Sequence, residues 1–132
     1  MPLLRSQAPT DAVALCRRLH QLFPAFGERL ANAYFIMDSR FTPHAVCSEF
    51  GDFYLGRVTD FAAPEVAALF EMIEVIAAAD PDNADPVANA LLTCFLENIS
   101  ATEAGEASLP LMGPRSRRFF LGWHLPPEKR PR

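Results

Sequence analysis

Cys16 and His20 are four residues apart, and His44 and Cys47 are three apart. On helices either spacing puts two ligands on one face, and the four side chains together are a Cys2His2 donor set for a tetrahedral ion. Zinc sites, however, are usually built from two tight cysteine pairs, or from a cysteine pair followed by a histidine pair, and this chain has neither. Cys16 and Cys47 also fall on apolar stripes. The expectation is therefore buried thiols beside partly exposed histidines, with no metal and no cofactor. A Cys–His nucleophile would need a thiol of lowered pKa beside an oriented imidazole. Cys94 stands instead in "LLTCFLE", flanked by Leu92 and Phe95, which points to burial. Two carboxylate pairs, Glu49 with Asp52 and Glu71 with Glu74, have helical spacing and read as exposed acids. "MGPR" has one glycine and a proline that removes an amide donor, so it is no phosphate loop. The chain is expected not to be an enzyme.

A second stretch with chemical potential is "LMGPRSRRFFLGW", residues 111–123. Arg115, Arg117 and Arg118 could contact phosphates while Phe119, Phe120 and Trp123 stack on bases. Alternatively, positions 119, 120 and 123 share a helical face and pack on the core. The arginines then lie in a first turn, the unfavourable end of the helix dipole for cations, and need acidic neighbours. The second reading is preferred: a terminal core helix whose arginines clamp onto acidic helices.

The elements that would position these residues are all helical. Apolar residues recur at three- and four-residue steps, and alternating β-branched runs are absent. Thr10-Asp11 opens a first helix carrying Val13, Cys16, Leu19, Leu22 and Phe23, which Pro24 ends or resets. A second, about 25–37, has Phe26, Leu30, Ala33, Tyr34 and Met37 on one face and is closed by Asp38-Ser39-Arg40. Thr42-Pro43, Ala63-Pro64 and Asp85-Pro86 read as starts of the third, fourth and fifth. Residues 100–108 read as a polar loop, and Gly113-Pro114 starts a short sixth helix to about Trp123. About six helices with short loops predict an all-α fold of antiparallel αα-hairpins, in an irregular bundle or short curved solenoid. One domain spans 10–124, between a flexible N-terminus, 1–9, and a flexible basic tail, 125–132.

The bulk composition agrees. The chain has 132 residues, half of them apolar, with eleven Phe and a net charge of −4, enough apolar material for one packed core. The negative charge argues against nucleic acid as the main partner. Three widely separated cysteines fit a reduced, cytoplasmic protein better than a disulfide scaffold, and no apolar run is long enough to span a bilayer. Charge is also segregated. Between Val58 and Pro114 there are ten acids and no Lys or Arg, while six of the twelve basic residues lie from Arg115 onward. Such a block pattern makes a negative face that can steer a basic partner.

"ALLTCFLENIS", a small-residue loop and "LMGPRSR" together resemble the C-terminal part of a family of small, largely uncharacterised all-helical bacterial proteins similar to polymorphic-toxin immunity proteins. The matching residues are Phe95, Leu96, Glu97, Met112, Gly113 and Pro114. The resemblance implies a protein that binds and neutralises a cognate toxin domain and catalyses nothing. The charge pattern then nominates Glu71, Glu74, Asp82, Asp85 and Glu97 as contacts to a toxin with a basic surface. The alternatives are a small metal-dependent regulator or enzyme using Cys16, His20, His44 and Cys47, or a nucleic-acid module using the C-terminal arginines.

Overall fold

Four of the described helices begin where the sequence supplies a side-chain cap. The computed structural model describes residues 8–30 and 41–124. Ala33, Tyr34 and Met37, the closing Asp38-Ser39-Arg40 and the tail 125–132 lie outside the described residues. Asp11 accepts a hydrogen bond from the Ala14 amide at 2.8 Å and starts α1, Ala12–Leu22. Phe26–Leu30 is α2. Thr42 caps α3, Pro43–Arg57, through the Ala45 amide at 3.1 Å. α4, Pro64–Ala78, has no side-chain cap but carries Pro64 in its first turn, where a missing N–H costs nothing. Asp85 caps α5, Pro86–Ala90, through the Ala88 amide at 3.2 Å. The chain then continues as a π-helical segment, Leu91–Leu96, and α6, Glu97–Ile99. α7, Glu103–Ser108, leads through a 3-10 turn, Leu109–Leu111, to α8, Pro114–Leu121.

The described chain is all-α, and its buried residues form one hydrophobic cluster. Aromatic rings make its centre. Phe50 lies 5.2 Å from Phe26, 5.4 Å from Phe23 and 5.3 Å from Phe95, centroid to centroid. Tyr54 extends the stack to Phe95 at 5.2 Å and Phe70 at 6.2 Å. Burying each such ring contributes about 1.5–3 kcal/mol, so α3 is held chiefly by its Phe50–Tyr54 turn.

Within this class the main contact joins helices distant in sequence. α3 lies along α5 and the π segment in parallel register: His44 meets Asn89, and Phe50 meets Phe95. α4 runs the other way, with Phe70 level with Phe95 and Ile76 sharing a cleft with Pro86.

Three local expectations need correction. Residues 100–108 are not all loop. Thr102 caps α7 through the Gly105 amide at 3.0 Å, and Ser108 is fully buried, donating to the Ala104 carbonyl at 2.7 Å. α7 has no apolar stripe, so its periodicity was silent; a buried hydroxyl took the place of one. The Val87-to-Ile99 helix is interrupted by the π segment. Trp123 is not in the core: α8 ends at Leu121, the chain turns at Gly122, and Trp123 is left 51% exposed.

Candidate interaction surface

α8 has no cap of its own, and Glu74 on α4 supplies one. Its Oε1 accepts from the Ser116 amide at 2.9 Å and the Ser116 hydroxyl at 2.8 Å, and its Oε2 from the Arg115 amide at 3.1 Å. A carboxylate at a helix N-terminus satisfies orphan amides and opposes the dipole. Gly113 makes room for it, since a Cβ there would meet the Glu74 Cγ at 2.4 Å. Pro114 takes the N1 position, and Met112 is buried. The "MGPRS" motif is thus a docking site for one glutamate.

The arginines were expected to clamp onto acids by charge. Among the described residues, Arg115, Arg117 and Arg118 form no ion pair with a described carboxylate. The ion pairs between described residues are Arg29 with Glu49 and Asp52, Arg57 with Glu28, and His124 with Glu106. Arg115 donates from Nη2 to Asn83 Oδ1 at 3.1 Å, with its Nε buried and unpartnered. Arg117 donates to the Leu109 carbonyl at 3.3 Å, and Arg118 is exposed. The clamp exists, but backbone amides make it.

The nominated acids occupy different settings. Glu71 is exposed on α4, and Asp82 is exposed in the turn after it. Asp85 is half-buried as the cap of α5. Next to it Asp80 holds the same turn, accepting from the Ala84 amide at 2.9 Å and the Asp85 amide at 3.1 Å. Asp80 and Asp85 also line a shallow cleft of about 470 Å³ with Thr10, Ile76 and Pro86. Glu97 is half-buried in α6, one residue pair beyond Phe95 and toward the beginning of α4. Asp85 caps the start of the helical run that Glu97 nearly ends, so Glu97 lies at the opposite end from Asp82 and Asp85. Asp80, Asp82 and Asp85 belong to one end of the bundle; Glu71 lies midway along α4, next to Phe70, and Glu74 is engaged in holding α8.

The Cys/His constellation is dispersed. The His20 imidazole lies over Gly27, His44 pairs with Asn89 at 3.4 Å, and Cys16 and Cys47 are buried. Among the described residues no group of three or more His, Cys, Asp or Glu is placed to hold a metal. Burial pushes the Cys16 thiol up, and burial, then Cys94, push Cys47 up further; a thiolate is disfavoured at both.

His124 escaped notice in the sequence. Its side chain is only 5% exposed and stacks on Phe120 at 4.6 Å. Nδ1 accepts from the Ala101 amide at 2.9 Å, which leaves Nε2 to donate to Glu106 Oε2 at 2.5 Å. Ala101 sits at a φ of 59°, a left-handed conformation that this bond holds. The pair links the end of α8 to α7. Nothing in a lone histidine after a Gly-Trp turn signals such a contact.

No family model, curated protein or solved structure matches this chain. No helix among the described residues is long and apolar enough to cross a membrane.

Proposed function

We propose that this chain is an immunity-type binding protein, which neutralises a cognate bacterial toxin domain in the cytoplasm by covering a basic surface. The observation that carries the reading is the segregation of charge along the chain. Ten acids lie between Val58 and Pro114 without a Lys or Arg, and Glu71 and Asp82 among them are exposed. The contact surface comprises Glu71 and Asp82, with Asp80 and Asp85 around the adjoining cleft. Glu74 supports it by holding α8, and Glu97 lies outside this patch. A rigid acidic surface of this kind raises the association rate with a basic partner and excludes acidic ones. No reacting group is required.

The test is titration calorimetry against a toxin domain encoded beside this chain, at low and moderate salt. The paired substitution Glu71→Lys and Asp82→Lys is expected to weaken binding by roughly tenfold or more, about 1.4 kcal/mol, and to flatten the salt dependence. Unchanged affinity and slope would remove the surface; failure of every adjacent domain to bind would remove the function.

One observation favours a second reading. Arg117 and Arg118 are exposed on α8, and the chain's single tryptophan, Trp123, is half-exposed just beyond it. Stacking of a base on Trp123 would bind single-stranded nucleic acid. An oligonucleotide titration at low salt would then quench the tryptophan fluorescence; an unchanged signal eliminates this reading.

A further inference from the structure

α3 and the π segment bring two cysteines onto facing stripes. Their register is fixed at both ends. Near the helix starts, His44 Nε2 lies 3.4 Å from Asn89 Oδ1. Further along, Gly51 admits the facing helix so closely that a Cβ would meet Asn98 Nδ2 at 2.9 Å and the Cys94 carbonyl at 3.4 Å. Between these anchors α3 advances seven residues and its neighbour nine. Seven residues are two α-helical turns, whereas nine would end half a turn out, on the opposite face. The wider i→i+5 turns of Leu91–Leu96 absorb the surplus. Asn89, Cys94 and Asn98 consequently all face α3.

On α3, Cys47 lies three residues after His44 and four before Gly51, on the same stripe. It is therefore opposite Cys94. Cys47 is wholly buried and Cys94 is part-exposed, and both are free thiols. The upward push that Cys94 exerts on the Cys47 thiol is a further sign of their closeness.

We propose that Cys47 and Cys94 form a peroxide-responsive dithiol, which oxidises to a disulfide tying α3 to the π segment. Cys94 reacts first because solvent reaches it. Its thiolate sulfur attacks the peroxide; a sulfur–oxygen bond forms, the oxygen–oxygen bond breaks, and one water leaves with the thiol proton. The Cys47 sulfur then attacks the Cys94 sulfenic acid. A sulfur–sulfur bond forms, the sulfur–oxygen bond breaks, and the departing hydroxide takes the Cys47 proton as a second water. The two thiols lose two electrons and two protons, and hydrogen peroxide becomes two waters. Cys16, buried on α1, takes no part.

The experiment treats the full chain with hydrogen peroxide, blocks remaining thiols under denaturing conditions, and reads intact mass and a digest made without reductant. The expected product has lost two hydrogens, leaves one thiol to alkylate, yields a peptide joining Cys47 to Cys94, and reverts with dithiothreitol. Cys16→Ser leaves this unchanged. Cys94→Ser abolishes it, and Cys47→Ser stops at a sulfenic acid that dimedone traps on Cys94. Oxygen adducts on Cys94 with Cys47 still alkylated, bridges that include Cys16, bridges between chains, or no reaction each overturn the proposal. Should a variant fail to fold by circular dichroism, the peptide map of the unsubstituted chain decides alone.

Discussion

The entries to α5 and α8 solve one problem in two ways. Both helices place proline at the first position and need acceptors for the amides that follow. α5 takes its acceptor from the preceding residue, Asp85. α8 takes its acceptor from Glu74, some forty positions earlier, and keeps its own cap position as Gly113 so that the visitor fits. A local cap stabilises one helix. A borrowed cap stabilises the helix and the tertiary contact together, so its loss should cost more.

The largest effect should follow Glu74→Ala, which strips three charge-assisted hydrogen bonds from α8 and leaves donors unsatisfied. A loss of about 3 kcal/mol is expected in urea unfolding. Asp85→Ala should cost about 1 kcal/mol. Equal losses would break the comparison. A double-mutant cycle sharpens it. With Glu74 present, Gly113→Ser should destabilise, because its Cβ collides with the glutamate. In the Glu74→Ala background the same change should stabilise by roughly a few tenths of a kcal/mol, because the serine becomes a local cap. The same sign in both backgrounds would mean that Glu74 is not what excludes a side chain at Gly113.

A second remote bond gives the next effect. The Tyr54 hydroxyl lies 2.6 Å from the Ser108 hydroxyl, which donates onward to Ala104, so Tyr54 is the donor. Burial, only partly offset by Ser108, pushes the Tyr54 pKa from 10.0 up to about 12. Between these values the unfolded chain releases the phenolic proton and the folded chain keeps it. Stability therefore falls as pH rises from about 10 to about 12, by about 2–3 kcal/mol. Tyr54→Phe should lose about 1 kcal/mol at neutral pH and flatten that alkaline decline. Cys16 and Cys47, raised from 9.0, move the onset of the remaining decline toward pH 9. An unaltered alkaline profile in Tyr54→Phe would contradict the assigned burial.

The same contrast explains what the sequence disclosed. Asp11, Thr42 and Asp85 announce their helices because cap and amide are neighbours, and the apolar stripes of α1 and α4 point at the core they enter. The "MGPRS" stretch was noticed, but its meaning required knowing that α4 would pass beside it. Glu74 accordingly looked like a surface acid. Trp123 looked buried because a face was extrapolated past a turn, and α7 was missed because Ala, Gly and Ser carry no periodic signal. The candidate surface was legible as a charge block, since charge is a property of composition. The placing of Glu71 and Glu74 was not, because the course of α4 past Phe95 and α8 decides it. Glu97 is near Asp85 in the chain and far from it in the fold.

The π segment makes chain length itself a structural parameter. Deleting one residue within Leu91–Leu96 would let the ladder close as an ordinary α-helix, with every backbone group still paired. Later residues would keep close to their present faces, because the residue removed is the surplus that the wide turns absorb, whereas a deletion within α4 would turn every later residue of that helix by about 100° and swing Ile76 out of the core. Substitution scanning would find the two stretches alike wherever volume is conserved, whereas a library of single-codon deletions would find Leu91–Leu96 more forgiving than α4.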